Sequence, residues 1–189
     1  IKRDEKLILD LGDHQVGSFK IDIDQTGSPM DAPLYLRLKF AEMPAELAVE
    51  SSEYEGWLSR SWIQEEFIHI DELPMTLELP RRYSFRYVEL KVIDTSPKWQ
   101  AVFYNPVVTS ENSADMTKVK KPEIEDEKLA RIYQVGLKTL ADCMQDVFED
   151  GPKRDRRLWL GDLRLQALAN YATFDNKELV RRCPYLFAG

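Results

Sequence analysis

Residues 149 to 162, EDGPKRDRRLWLGD, crowd carboxylates, arginines and an indole into one short run. Asp150, Asp155 and Asp162 are interleaved with Lys153, Arg154, Arg156, Arg157 and Trp159. Arginines beside carboxylates hold some of them ionised, while a neighbour in a drier spot keeps its proton. Acid catalysis on a glycosidic bond needs that division of roles. The face of Trp159 suits the apolar face of a sugar ring, and the acids and arginines suit its hydroxyls. The same run also reads as a solvated surface or a structural ion-pair network, and on spacing alone both readings stand.

Two helices must position this run. Gly151 and Pro152 break the helix before it, and Gly161-Asp162 opens the one after it, which puts the charges on a connection. In the preceding segment Leu129, Ile132, Tyr133, Leu137, Leu140, Met144, Val147 and Phe148 recur at steps of three and four. That period predicts an amphipathic helix of about 24 residues, with Asp126 as its cap. The following helix is expected to begin at Asp162, whose carboxylate is either an N-cap or a sugar contact, and Leu165, Leu168, Ala169 and Ala172 follow it. Asp175-Asn176-Lys177-Glu178 resembles a capping box, after which Leu179-Val180 and Tyr185-Leu186-Phe187 supply a third apolar segment.

Upstream the period is two. Leu7 to Asp10 leads to a turn at Gly12-Asp13, and Phe19, Ile21 and Ile23 alternate with Lys20, Asp22 and Asp24. Leu34, Leu36, Leu38 and Phe40 share one face of a strand while Tyr35, Arg37 and Lys39 share the other, so one side is expected to be buried. Trp62 to Ile70, Met75 to Leu79, Tyr83 to Ile93 and Gln100 to Val108 continue the pattern, with prolines between and no intervening helix. Strands at such spacing predict an antiparallel β-sandwich. The division expected is a sandwich over 1–110, a polar and charged linker over 111–124, and helices over 125–189.

The run Asp150-Gly-Pro-Lys-Arg-Asp-Arg-Arg-Leu-Trp-Leu-Gly-Asp162 resembles the signature of bacterial α-L-rhamnosidases, glycoside hydrolase family 78, at the start of their (α/α)6 catalytic barrel. Asp10-Leu11-Gly12 with Val16-Gly17, Trp62-Ile63-Gln64-Glu65-Glu66, and Leu79-Pro80-Arg81-Arg82-Tyr83-Ser84-Phe85-Arg86-Tyr87 resemble the β-sandwich that precedes that barrel. The resemblance covers nearly the whole chain and only part of the family's protein. It implies an inverting hydrolase that releases terminal α-L-rhamnose without a cofactor. Asp155 falls where the family carries its general acid, commonly a glutamate. Asp150, Asp162 and Trp159 fall on sugar-binding positions, and Arg154 and Arg156 are assigned to orienting the acids as bidentate partners. An inverting enzyme also needs a base about 6.5–9.5 Å from the acid. The family's base lies on a later barrel helix, so the chain alone is expected to be inactive.

Composition bounds the rest. The chain has 189 residues, is 43% hydrophobic and 31% charged, and carries a net charge of −7, which disfavours nucleic acid as a partner. No apolar run approaches the roughly 18 residues of a membrane span. Cys143 and Cys183 read as buried thiols, and His14 and His69 as locally hydrogen-bonded, so no metal site is expected. Tyr54, Trp57, Trp62, Tyr83, Phe85, Tyr87, Trp99 and Tyr104 are expected mainly in packing, and Arg81, Arg82 and Arg86 as partners for acids. The chain opens on Ile1 rather than Met, as a piece of something longer would. A periplasmic or extracellular setting is favoured over a cytoplasmic one. The expected partner is a rhamnose-containing carbohydrate, and the unfinished helical part is expected to support a homodimer. The alternative is a non-catalytic carbohydrate-binding or structural sandwich with a helical interaction segment.

Overall fold

The computed structural model describes residues 1–119 and 122–189. They form two compact units, Ile1–Ser110 and Glu111–Gly189.

The first unit is an antiparallel β-sandwich organised around one long strand, β1 (Lys6–Gly27). The first part of β1 pairs with β5 (Tyr83–Asp94), which pairs with β2 (Leu34–Ala41), which pairs with β3 (Gln64–Ile70). The second part of β1 lies between β4 (Met75–Glu78) and β6 (Trp99–Ser110). The strand therefore serves both layers. Gly17 marks the change, since it is opposite Tyr83 on one side and Ser110 on the other. A Cβ there would lie 2.0 Å from the Thr109 carbonyl oxygen, so only glycine allows β6 this close. The turn expected at Gly12-Asp13 is instead an irregularity inside β1. The register with β5 shifts between Asp10 and Gln15, and Gly12 takes φ +80°.

Phe19, Ile21 and Ile23 of β1 meet Leu36, Leu38 and Phe40 of β2 and Val88, Leu90 and Val92 of β5 in one buried cluster. The ring of Phe19 packs edge-on against Phe40 at 5.6 Å and Phe85 at 6.1 Å. Each fully buried side chain of this size contributes about 1.5–3 kcal/mol. Tyr83, Phe85 and Trp99 are core residues, whereas Trp57 is 91% exposed.

The outer face of β2 departs from expectation. Arg37 and Lys39 are buried, because the segment after β2 folds back over them. That segment holds α1 (Pro44–Leu47) and two single 3-10 turns, Ser51–Glu53 and Arg60–Trp62, where no helix was expected and where Trp62 was expected in a strand. Arg37 donates to Glu50, and to Glu89 at 2.5 Å, while Lys39 donates to the Val49 carbonyl. The hydrogen bond from Arg37 holds the Glu50 carboxyl below its usual range. Buried charges survive here because each has a partner. Arg86 clamps Asp10 with two hydrogen bonds of 2.7 and 2.9 Å, and Arg81 pairs with Glu66 at 2.8 Å, so both arginines serve the sandwich's own acids.

The second unit contains α2 (Glu127–Cys143), α3 (Leu160–Ala172) and α4 (Lys177–Ala188). The expected linker 111–124 includes Lys120 and Lys121, which lie outside the described residues; of the rest, Ser113 donates its backbone N–H to the Met144 carbonyl at 2.7 Å. Asp126 caps α2 by accepting from the N–H groups of Lys128 and Leu129. The helix has 17 residues, shorter than its periodicity predicts. After Cys143 the chain turns, and Met144 and Phe148 form a β-bridge with both side chains fully buried. Their apolar spacing reflects burial in a turn and not continued helix.

Helix α3 starts before Asp162. Trp159 is its N-cap residue and no side chain caps it, so the Asp162 N-cap does not form. Leu163, Ala167 and Asn170 face the core, while Leu165 and Leu168 are exposed. This helix is apolar on more than one side, so periodicity could not select a face. Asn170 fixes the turn into α4: its Oδ1 accepts from Asn176 N at 3.1 Å and its Nδ2 donates to the Asn176 carbonyl at 3.2 Å. Asn176 then caps α4 by accepting from Leu179 N. Both cysteines are buried and free.

Candidate functional site

The connection from Cys143 to Trp159 is held at both ends by backbone hydrogen bonds. Glu149 is buried; its N–H donates to the Cys143 carbonyl at 2.9 Å, and its own carbonyl accepts from Gln166 Nε2 at 2.6 Å. Farther along, the Asp150 N–H donates to the Arg157 carbonyl at 2.9 Å, and the Arg157 N–H returns to Asp150 Oδ1 at 3.1 Å. Residues 150 to 157 are thereby closed into a small loop. Inside it Asp155 and Arg156 both take left-handed backbone, with φ 59° and 52°. Two such residues in succession reverse the chain, and aspartate is among the few side chains that tolerate this region. The Arg156 N–H donates to the Arg154 carbonyl at 2.7 Å and to the Gly151 carbonyl at 3.3 Å.

This scaffold displays the expected residues in different ways. The Asp155 side chain is 31% exposed, and Arg154 Nη2 lies 3.9 Å from its Oδ2. That is a loose ion pair, short of the bidentate contact expected of Arg154. Asp150 is already partly engaged through its bond to Arg157 N. Trp159 is half-exposed and its carbonyl accepts from Leu163 N at 2.8 Å. Asp162 is exposed in the first turn of α3, where the helix dipole favours a carboxylate. Among the described residues, the side chains of Trp159 and Asp162 make no hydrogen bond. Asp150, Arg154, Asp155, Arg156, Trp159 and Asp162 thus lie on one loop and the helical turn it enters. Asp155 is half-buried while Asp162 is open to water, the contrast that acid and sugar contact would each use.

Sequence reasoning missed Gln166, which pins the loop's first carbonyl. Its place one turn after Asp162 on α3 was the available signal. It also missed the surroundings of Cys143. Burial pushes that thiol up to about 11, with Asp142, Glu149 and Asp150 adding negative charge.

A second constellation resembles a nucleophile site and is not one. His14 Nε2 lies 3.0 Å from Glu42 Oε1 and 3.0 Å from Ser84 Oγ. Acid and hydroxyl meet the same ring nitrogen, whereas a serine–histidine–acid relay sets them on opposite nitrogens. Ser84 is also fully buried. Among the described residues, no group of three or more His, Cys, Asp and Glu is placed to hold a metal ion.

Residues 1–110 match the family model described as the glycosyl hydrolase family 78 alpha-rhamnosidase N-terminal domain, and residues 121–187 match the bacterial alpha-L-rhamnosidase 6 hairpin glycosidase domain. The chain belongs to glycoside hydrolase family 78. Among solved structures, a rhamnosidase from Klebsiella oxytoca with rhamnose bound is 46% identical, with a TM-score of 0.96, and the match covers 100% of this chain and 37% of that one. A family 78 rhamnosidase of Bacillus sp. GL1 is 23% identical over 94% of this chain and 17% of its own, with a TM-score of 0.73. An α-L-rhamnosidase from Dictyoglumus thermophilum is 20% identical over 95% of this chain and 19% of its own, with a TM-score of 0.64. The latter two likenesses show the fold alone. No curated protein matches the chain. This family 78 chain therefore spans just over a third of the Klebsiella oxytoca protein.

Proposed function

We propose that this chain supplies the β-sandwich and the opening barrel helices of an α-L-rhamnosidase that releases terminal α-L-rhamnose with inversion. The observation that carries the reading is the closed loop of residues 150–157, which presents Asp155 on left-handed backbone and leads directly to Trp159 and Asp162. Membership of family 78, and rhamnose bound to the Klebsiella oxytoca relative, support the sugar.

In this reading Asp155 protonates the leaving oxygen, and Trp159 lies along the sugar ring. Asp150 and Asp162 accept hydrogen bonds from its hydroxyls, while Arg154 and Arg156 keep the loop's charge balanced. The base that activates water comes from residues outside this chain, so the chain alone does not turn over. The working division is a sandwich over 1–110, a connection over 111–124 and barrel helices over 125–189. Apolar side chains exposed on the helices, among them Ile132, Leu165, Leu168, Tyr185 and Leu186, pack against later helices in the longer protein and drive the isolated chain to dimerise.

The test is hydrolysis of an aryl α-L-rhamnoside, beside other aryl glycosides, by the longer protein and its Asp155→Asn variant. Rhamnoside cleavage that collapses in the variant supports both substrate and acid. Cleavage of another glycoside, or of none, overturns the reading.

A further inference from the structure

The outer face of β2 and β3 carries three rings in a strip. Tyr35 stacks on His69 with centroids 4.0 Å apart and planes 6° from parallel, and lies 6.4 Å from Phe67. Tyr35 and His69 are opposite each other in register, so cross-strand packing accounts for that pair. It does not account for Phe67, which is 54% exposed. A cleft opens at each end of the strip. One, of about 430 Å³, is lined by Phe67 with Ser59, Arg60 and Glu65. The other, of about 290 Å³, is lined by Tyr35 and His69 with Thr95 and Ser96.

Each cleft includes a buried polar group with unused hydrogen-bonding capacity. The Glu65 side chain is 6% exposed; one oxygen accepts from Ser51, while Oε1, 3.6 Å from Arg37 Nη1, accepts no hydrogen bond among the described residues. Thr95 is 6% exposed and its hydroxyl has no partner among the described residues. Such groups destabilise a fold unless water or a ligand pairs with them. At the rim of the first cleft the Arg60 guanidinium makes no ion pair among the described residues. The clefts thus combine a cationic donor, serine hydroxyls and flat apolar faces with a buried acceptor and a buried hydroxyl beneath them. That mixture fits a neutral polyhydroxylated ligand better than an anion, which Glu65 and Glu66 would repel, or a purely apolar one.

From Glu65 to His69 the strand rises about 13 Å, more than one sugar ring covers. We propose that this face is an oligosaccharide-binding surface, with the chain of sugars lying across Phe67, Tyr35 and His69 between the Glu65 and Thr95 clefts. The rhamnose-containing ligand class rests on the function proposed above; the location rests on the rings and the unpartnered groups.

The test is saturation-transfer NMR titration of the 189-residue chain with an α-rhamnosyl trisaccharide. Wild type is compared with Phe67→Ala, Thr95→Val and Trp159→Ala. Phe67 is largely exposed and Thr95→Val preserves shape, so the fold should be retained, which circular dichroism checks. The expected result is binding that weakens about tenfold in the first two variants, a loss of about 1.4 kcal/mol, and persists in Trp159→Ala. Undetectable binding at millimolar ligand, or binding in Phe67→Ala and Thr95→Val as tight as in wild type, overturns the proposal. Binding lost only in Trp159→Ala also overturns it and leaves the loop as the sugar site. A failure of the rhamnosidase reading appears separately, as an absence of rhamnoside hydrolysis by the longer protein.

Discussion

Asp150 and Arg157 are joined in both directions, Asp150 N to Arg157 O at 2.9 Å and Arg157 N to Asp150 Oδ1 at 3.1 Å. The carboxylate proposed to meet a sugar hydroxyl is therefore also a fastening of the loop that carries Asp155. The two roles separate by substitution. Asp150→Asn keeps an Oδ1 to accept from Arg157, so the loop should hold while the charge is lost; Asp150→Ala removes both. The alanine variant should lose about 0.5–1.5 kcal/mol of stability and more of the longer protein's rhamnoside kcat/KM than the asparagine variant. Denaturant titration beside kinetics measures the split, and equal stabilities would show that the bond to Arg157 contributes little.

The chemical role proposed for Asp155 falls on a residue whose backbone is also constrained. Asparagine tolerates its φ of 59° but cannot donate an acidic proton. Asp155→Asn should lower kcat of the longer protein by about 10²–10⁴-fold with little change in melting temperature. Asp155→Val should lower both, because a β-branched side chain resists that region. Retained activity in Asp155→Asn would remove this residue as the acid.

Two glycines should respond oppositely to alanine. At Gly17 the new Cβ would meet the Thr109 carbonyl oxygen at 2.0 Å, so Gly17→Ala should cost about 1–3 kcal/mol or more as β6 is pushed from β1. Gly136, inside α2, has nothing within 4 Å of its would-be Cβ. There alanine should stabilise by about 0.5–1 kcal/mol. Thermal unfolding of the two single variants reads both signs.

Stability should fall on the alkaline side. The Cys143 thiol stands at about 11 in the fold against an ordinary value of 9.0, through burial first and then the charges of Asp142, Glu149 and Asp150. The unfolded chain loses this proton first. The contribution is therefore complete below pH 9 and is lost as pH rises through about 11. Tyr83 acts in the same sense, pushed from 10.0 to about 12 by burial and its hydrogen bond to Glu66. Urea unfolding between about pH 8 and 11 should show the decline, and Cys143→Ala should make it shallower. Iodoacetamide should label Cys143 slowly at neutral pH, since the thiolate is the reactive form.

The strands were legible where one face is apolar and the other polar, as along Phe19, Ile21 and Ile23 against Lys20, Asp22 and Asp24. Capping by Asp126 was equally legible, because a cap uses only the next few residues, whereas the capping box read over Asp175 to Glu178 puts the cap of α4 at Asp175 and the structure has it one residue later, at Asn176. The buried face of α3 was not, since Leu163 and Leu165 are equally apolar and only a neighbour chooses between them. The end of α2 was missed for a related reason: Met144 and Phe148 keep helical spacing while lying in a turn.

By itself the sequence determined the β-then-α order, the presence of a charged loop between helices and the residue types it offers to chemistry. These are properties of local periodicity and composition, which need no distant contact. Tertiary structure alone decided that β1 serves two layers through Gly17, that Arg37 and Lys39 are buried beneath the segment after β2, and that Asp150 fastens to Arg157. Each depends on groups brought together by the folded chain, and the energy of such contacts appears only once the backbone between them has been fixed.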